Sequence, residues 1–548
     1  MSFGASSCAN SDPHPSRARG LLGAIYPVGM RGLTSPRLLA IAAALLGATS
    51  IVSAVTPEFA DRLHAVSSVF GRDAPTVART LVVAFGLALL LLSRGLARRK
   101  RRAWQLAFAL VVATAAAHLV KGLDVEESLI SVGFLAALWA GRREFVAPGD
   151  PESVRPLTQV LLALVVVMPI AVLHLVGEVA YSDIVDDGIL ILISALGLRA
   201  IAIWLRPTAE KVRNIPAERH RAEELVREFG RDSLAYFSLR RDKSLFFSAS
   251  GMSFLAYGVV GGTAIVTGEP VGVASERPEL LAEFQRVAHS KAWRVAIAGV
   301  SSEWLRDVTD LGFRSLYLGD EALVHPAKFS LDGRPIRKVR QSVTRLAKAG
   351  YTVEILCPAD IQPALRNDLR EVSAEWRGNW PERGFTMAMD ALFEYDDAFV
   401  VVGRGPDGKV GGFLQLVPSP AASGYSLSQM RRRRDTPNGL MEYLIVETIA
   451  WAKNRDVAEL SLNFSVAAEY LRADGGLLRT LLLAGDRLFQ LERLHSFNRK
   501  FFPEWRRRYL CFERWTDLPA VAISYLQAES LLTPPSPWAG RTPDVSDR

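Results

Sequence analysis

Apolar and polar positions follow two different patterns along this chain, and the change comes near residue 206. Before it, nearly unbroken apolar runs predict helical spans near 38–55, 77–93, 103–120, 125–141, 157–176 and 188–205. Each is close to the ~17–25 residues that cross a hydrocarbon core. The fourth is short and opens with Glu126 and Glu127. LVVAFGLALLLL and LTQVLLALVVVMPIAVLHLV have no polar face, which separates them from the half-buried helices of a soluble core. The expectation is a multi-pass α-helical membrane domain over 31–206, followed by an α/β soluble region. His118 and His174 fall within predicted spans, where an ionisable group is either a packed interfacial residue or part of a polar path.

After about Ile215, short strand-like runs alternate with helical ones, in two passes. The first, 215–334, has strands around the VVGG turn, a helix near 277–290, the strand RVAIAGV, a helix near 302–311 and the strand RSLYLG. The second, 351–530, has the strand YTVEILCP, a helix over 360–377, a hairpin AFVVVGRGPDGKVGGFLQLVP and the strand YSLSQM. A long helix over about 438–454 and the strand ELSLNF follow. Between the passes, 335–350 reads as a linker helix with Ile336, Val339, Val343 and Leu346 on one face and Gly350 as its stop. Residues 1–30 and 531–548 are polar and rich in Pro and Ser, and are expected to be disordered.

Charge gives the membrane half a direction. The loops after spans two, four and six carry Arg98 to Arg102, Arg142 with Arg143, and Arg206 with Lys211, whereas the alternate loops are acidic or mixed. Basic loops stay on the cytoplasmic side, so the soluble region is expected there, on a multi-pass protein of the inner or plasma membrane. No charged start leads into a short apolar run with a cleavage site, so no signal peptide is expected. The whole chain carries 65 basic and 57 acidic residues, a formal charge of +8. Cys8, Cys357 and Cys511 form no metal-ligand or disulfide pattern, so neither a metal nor any other cofactor is expected.

Gly403, Gly405 and Gly408 spell GxGxxG, but a strand follows and Pro406-Asp407-Gly408 is turn chemistry, so a hairpin is predicted instead of a nucleotide site. Walker, HExxH and GxSxG patterns do not occur. Two segments carry candidate chemistry. SLSQMRRRRDTPNGLME places Arg431, Arg432, Arg433 and Arg434 before a helix opening at Asn438, an anion-attracting arrangement. LHSFNRKFFPEWRRRYLC mixes aromatics with Lys500, Arg506, Arg507 and Arg508, as phosphate and headgroup sites do. It reads equally well as a packed strand with a basic rim. The linker helix adds Arg337, Lys338, Arg340 and Arg345, either a solvated face or an electrostatic footprint for nucleic acid.

Taken in order, RDSLAYFSLRRDKSLFFS, GGTAIVTGEPVG, LGFRSLYLGDEALVHPAKFSLDG, ERGFTM, QMRRRRDTPNGLMEYLI and FNRKFFPEWRRRYL resemble the aminoacyl-phosphatidylglycerol synthases, the multiple peptide resistance factor family, over roughly 232–530. The resemblance implies tandem GNAT-like (dual acyltransferase) folds. It also implies transfer of an amino acid, lysine before alanine, from aminoacyl-tRNA to phosphatidylglycerol, which lowers the negative charge of the membrane surface. On that basis Arg431 and Lys500 are expected as electrostatic groups, Glu442 as a carboxylate that orients or accepts a proton, and Asn463 as an orienting group. Arg432, Arg433, Arg434, Asn438, Arg508 and the four linker-helix cations are expected to hold substrate. The chain departs from the family pattern in three places. Ser428-Gln429 stands where the family has Asp-Leu, Asn463 to Ala468 differs from Asn-Leu-Gly-Met-Ala-Pro, and Asn498 replaces a Lys. The loss of the Asp leaves a second reading: an inactive membrane-anchored protein that binds tRNA or anionic lipid.

Overall fold

The computed structural model describes residues 35–55, 74–122, 125–175, 183–206, 208, 210–466 and 491–533. The lead-in at 1–30 and the tail beyond 533 lie outside them. The chain divides into two compact units, Met1–Arg206 and Pro207–Arg548, at the place where the apolar pattern changes.

The first unit is helical: α1 (Pro36–Val55), α2 (Ala74–Ala97), α3 (Arg101–Gly122), α4 (Val125–Ala140), α5 (Val154–Leu175) and α6 (Asp183–Trp204). All six predicted spans are helices. Among the described residues, only the stretch Pro36–Ser53 is both long and apolar enough to cross a membrane, with shorter apolar stretches at Val82–Ala97, Val154–Val167 and Ala195–Trp204. Helices α1 and α2 approach through Gly47 and Gly86: a Cβ on either would lie within 2.7 Å of the other's carbonyl oxygen, the close contact that small residues permit between helices. Large apolar side chains point outward, among them Leu129, Leu162, Val165 and Val166. His118 is buried with its Nδ1 3.2 Å from Glu127, and both line a cavity of about 290 Å³ with Thr49 and Ser50. The side chain of His174 lies outside the described residues.

The second unit runs α7 (Pro216–Phe229), β1 (Ser244–Phe247), β2 (Ser253–Val260), β3 (Thr263–Thr267), β4 (Val271–Gly272), α8 (Arg277–Ser290), β5 (Arg294–Ser301), α9 (Leu305–Asp310) and β6 (Arg314–Val324). It continues through α10 (Arg337–Lys348), β7 (Thr352–Leu356), α11 (Pro363–Arg377), β8 (Phe399–Arg404), β9 (Val410–Ser419), β10 (Gly424–Arg432), α12 (Leu440–Lys453) and β11 (Glu459–Val466). After the undescribed 467–490 come α13 (Leu491–Asn498), β12 (Glu504–Phe512) and α14 (Leu518–Ala528). All strands join one mixed sheet in the order β1-β2-β3-β5-β12-β6-β11-β10-β9-β8-β7, with β4 beside β2. One mixed sheet thus runs through both passes. One placement differs from the reading by passes: β12, at the end of the second, lies between β5 and β6 of the first.

Each half has its own core. Phe284, Leu280 and Leu281 of α8 pack with Val295, Ile297 and Trp293, and α10 and α12 cover the other half with Val339, Leu346, Leu444 and Ile449. Replacing a fully buried Leu444 by Ala costs about 2–5 kcal/mol. Helix α10 turns Ile336, Val339 and Leu346 inward, with Val343 half-buried. It ends as its sequence predicts. Gly350 takes φ +83°, its N–H reaches Ala347 O at 3.1 Å, and Tyr351 N–H reaches Leu346 O at 3.0 Å. Those are the two bonds of a Schellman stop. The glycines of the GxGxxG pattern lie in and just after β8, where Gly408 at φ +79° turns the chain into β9.

Candidate active site

The two halves of the sheet meet along β10 and β11, and these parallel strands stay paired only from Gly424↔Glu459 to Ser426↔Ser461. Beyond that point they diverge, although β10 runs on to Arg432 against β9 and β11 runs on to Val466 against β6. A bulge sits on each strand where they part. The register of β10 slips between Leu427 and Gln429, leaving Ser428 as the extra residue. That of β11 slips between Ser461 and Phe464, and Asn463 adopts φ +74° there. Bulges re-aim side chains and terminate pairing, and they recur beside active sites. Asparagine is one of the few side-chain-bearing residues that tolerates this backbone.

Residues 384–390 fill the opening as a wedge. Asn463 Nδ2 donates to Met387 O (3.0 Å) and to Leu427 O (3.2 Å). Met389 N–H donates to Ser428 Oγ at 3.0 Å, and Gln429 Nε2 donates to Met389 O at 3.1 Å. Gln429 Oε1 is buried with no hydrogen-bond partner among the described residues, an acceptor that a ligand donor can satisfy. From the first half of the sheet, Arg240 holds the wedge by donating to Gly384 O at 2.7 Å and to Ala388 O.

Helix α12 starts beside this opening. Gly439 takes φ +96°, and a side chain there would meet Ser342 of α10 at 2.7 Å. Arg345 Nη2 donates to Asn438 O at 2.5 Å, which ties the basic helix to the helix start. Glu442 lies in the first turn, where the helix dipole favours a carboxylate, and its Oε1 is 2.8 Å from Lys500 Nζ. Lys500 is exposed at its head and lies over the ring of Phe497. The neighbouring Asn498 donates to Leu462 O at 3.2 Å, so the pair is anchored to the β11 bulge. Ser428 and Asn463 thus hold the wedge, and Glu442 and Lys500 pair with each other at the start of α12.

Other expected site residues have different surroundings. Arg431, expected as an electrostatic group, is buried and fully engaged: both its terminal nitrogens grip Glu382 (2.7 and 3.1 Å), and one also reaches Ser373 Oγ. Burial acts to raise the Glu382 pKa, but the Arg431 hydrogen bonds and charge outweigh it and hold the carboxyl below its usual range. Arg433 pairs with Glu375 at 3.1 Å and Glu371 at 3.5 Å. Arg432 closes β10 opposite Gly412, and Arg434 donates its backbone N–H to Glu375. Arg337 and Lys338 are exposed on α10, whereas Arg340 caps the preceding loop through Leu331 O and Gly333 O.

Arg508 departs furthest from its expected substrate-holding role. It is 3% exposed and donates to Glu321 (2.6 and 2.9 Å), Asp232 (2.6 Å), Ser233 and Gly299 O. Burial acts to raise the pKa of Glu321, yet Arg508 and the hydroxyls of Ser233 and Ser461 lower it. Nearby, burial and the charge of Asp232 push Glu269 up to about 6. This network spans residues far apart in sequence, and no local motif signals it. Of the second-half carboxylates that could receive a lysyl ammonium, Glu371, Glu375, Glu382, Glu394 and Asp397 each pair with an arginine, and Asp396 forms no ion pair among the described residues. No group of three or more His, Cys, Asp or Glu that could hold a metal occurs among the described residues.

Comparisons with known proteins fall on this second unit. The family described as "Phosphatidylglycerol lysyltransferase, C-terminal" matches residues 223–512. The chain is 35% identical over 314 residues to the lysylphosphatidylglycerol biosynthesis bifunctional protein LysX of Mycobacterium marinum, covering 56% of this chain and 28% of that protein. It is also 35% identical over 322 residues to its Rhodococcus jostii counterpart, covering 57% and 29%. The chain therefore matches less than a third of the length of these curated relatives. A solved C-terminal domain assigned to lysylphosphatidylglycerol synthetase from Agrobacterium fabrum is 27% identical, with a TM-score of 0.51 over 57% of this chain and 97% of that one. L-PGS from Bacillus licheniformis shares the fold, at 24% identity and a TM-score of 0.54 over 60% of this chain and all of that one.

Proposed function

The chain belongs to the phosphatidylglycerol lysyltransferase family through its C-terminal domain, and on that premise we propose that it moves an amino acid from aminoacyl-tRNA to a hydroxyl of phosphatidylglycerol. The observation that carries this reading is the partly exposed Glu442–Lys500 pair at the start of α12, in a sheet whose strands β10 and β11 part after three pairs. Aminoacyl-tRNA is already an activated ester, so positioning, a base and a local positive charge suffice. The lipid oxygen attacks the ester carbonyl, a new C–O bond forms, and the bond to the ribose oxygen breaks. Glu442 takes the proton of the lipid hydroxyl. Lys500 steadies the negative charge on the carbonyl oxygen and returns a proton to the ribose. Asn463 holds the wedge in register, and the orphan oxygen of Gln429 accepts from the amino group of the arriving residue. Arg431 acts at one remove, by fixing Glu382 at the start of the wedge.

Lysine is favoured over alanine on the names of the relatives, since the acidic side chains of the second half are mostly paired with arginines. The outward apolar faces of the helical unit support a multi-pass anchor, with the α/β unit on the cytoplasmic side, and the exposed Arg337 and Lys338 of α10 support a tRNA contact. The test is direct. Lipid extracts from cells expressing the chain should contain a new aminoacylated phosphatidylglycerol, identified by mass spectrometry. If none forms with any labelled amino acid, the reading fails; an alanyl product alone changes the amino acid and keeps the reaction.

A further inference from the structure

Two tryptophans lie on the surface where α11 ends. Trp376 in its last turn is 50% exposed, and Trp380 in the turn that follows is 37% exposed. Two partly exposed indoles within five residues of each other offer ring surface that a partner can cover.

Two cations beside them, Arg383 and Arg434, form no ion pair among the described residues, unlike their neighbours. Arg377, Arg431 and Arg433 are paired with Glu382 or Glu375. Arg383, in contrast, lies over the Trp380 ring at 4.9 Å, and its Nε is buried with no hydrogen-bond acceptor among the described residues. Burial lowers its pKa, as expected of a guanidinium without a counter-anion. The Arg434 guanidinium comes within 3.8 Å of where a side chain on Gly378 would begin, and no carboxylate pairs with it among the described residues. A phosphate satisfies such arginines, and π-faces satisfy such indoles. Unpaired nucleotides offer both, whereas a lipid headgroup offers only the phosphate.

Position makes the assignment specific. Glu382, between Trp380 and Arg383, holds Arg431 at the end of β10, and residues 384–390 continue directly into the wedge between β10 and β11. The tryptophans are therefore continuous in the chain with the segment that fills the gap between β10 and β11. We propose that Trp376 and Trp380, with Arg383 and Arg434, form the stacking platform for the unpaired 3′-terminal nucleotides of the aminoacyl-tRNA. The proposal rests on the transfer reading above and names where its donor docks.

The experiment uses the full chain in detergent and a short single-stranded RNA ending in CCA. The W376A/W380A double variant should bind it about ten-fold or more weakly, while W376F/W380F keeps most of the affinity because the ring faces remain. Both tryptophans are exposed, so the unfolding temperature should not move. R383A and R434A together should flatten the salt dependence of binding. In the transfer assay the W376A/W380A variant should raise the KM for aminoacyl-tRNA and leave kcat and the KM for phosphatidylglycerol unchanged. Unaltered RNA affinity in the double variant overturns the platform. So does a loss confined to binding phosphatidylglycerol vesicles, which would make the patch a membrane contact. RNA binding through the tryptophans without amino-acid transfer keeps the platform and sinks the transfer reading; transfer with an unchanged KM for aminoacyl-tRNA does the reverse.

Discussion

The sheet has two seams, and they use charge in opposite ways. Along the first, β12 pairs with β6 from Glu504↔Leu323 to Phe512↔Arg314, and Arg508, Glu321, Asp232 and Ser233 seal it with mutual hydrogen bonds away from water. Along the second, β10 and β11 part after three pairs, and the ions at its edge, Glu442 and Lys500, form a single bond with the lysine head exposed. A buried ionic cluster must be fully satisfied to be tolerated, which fixes it in one arrangement. A half-exposed pair can exchange its partner for a substrate. Both seams draw on arginine-rich segments of similar composition, so chemical identity alone does not separate a structural cation from a functional one.

Breaking the closed seam should have the largest effect. Arg508→Met leaves Glu321 buried without its partner and should cost about 3–5 kcal/mol of stability, read by thermal or denaturant unfolding. Replacing Glu321 by Gln in the same chain should recover much of that loss, and no recovery would deny the pairing its stabilising role. At the open seam the outcome should invert. Glu442→Gln should lower the turnover of amino-acid transfer about 100-fold or more, with the unfolding midpoint nearly unmoved because the pair is partly solvated. A large loss of stability with retained turnover would exchange the roles assigned to the two seams.

The smallest effect concerns pH at the closed seam. Glu269 accepts from Ser301 N–H and Oγ and has its pKa raised from 4.5 to about 6 in the folded chain. Folding therefore favours its neutral form. Its stabilising contribution is complete below pH 4.5 and is lost as the pH rises through about 6. Glu269→Gln should gain about 2 kcal/mol at pH 7.5 and nothing at pH 4. An equal gain at both pH values would place the cause in packing.

Much of this organisation is legible in the sequence because it is local. The helix 277–290, the Gly350 stop of α10, the 403–408 hairpin and the six apolar helices all follow from periodicity and turn chemistry. Of the residues expected at the site, Glu442 and Lys500 form an ion pair, and Asn463 stands at the β11 bulge. What the residues do not reveal is which member of a run faces inward. Arg431 and Arg508 are consumed by Glu382 and Glu321, residues 49 and 187 positions away, and only the closed sheet brings them together. Ser428 was similarly opaque. As a departure from the family pattern it marks a lost carboxylate, yet its hydroxyl is the acceptor that holds Met389 in the wedge. Trp376 and Trp380 carry no periodic signal, because their exposure is a property of the finished surface.

The return of β12 between β5 and β6 has a consequence for how the chain is made. About 190 residues separate the end of β6 from the end of β12, and at ~5–20 residues per second they take about 10–40 s to synthesise. Throughout that interval β5 and β6 each present an open edge with unpaired N–H and C=O groups, a template for pairing with another nascent chain. The hydrophobic faces of Val295, Ile297 and Ala322 wait with them. The last strand to leave the ribosome is thus the one that seals the first half of the sheet, and until it arrives a chaperone or a slow search must protect that gap.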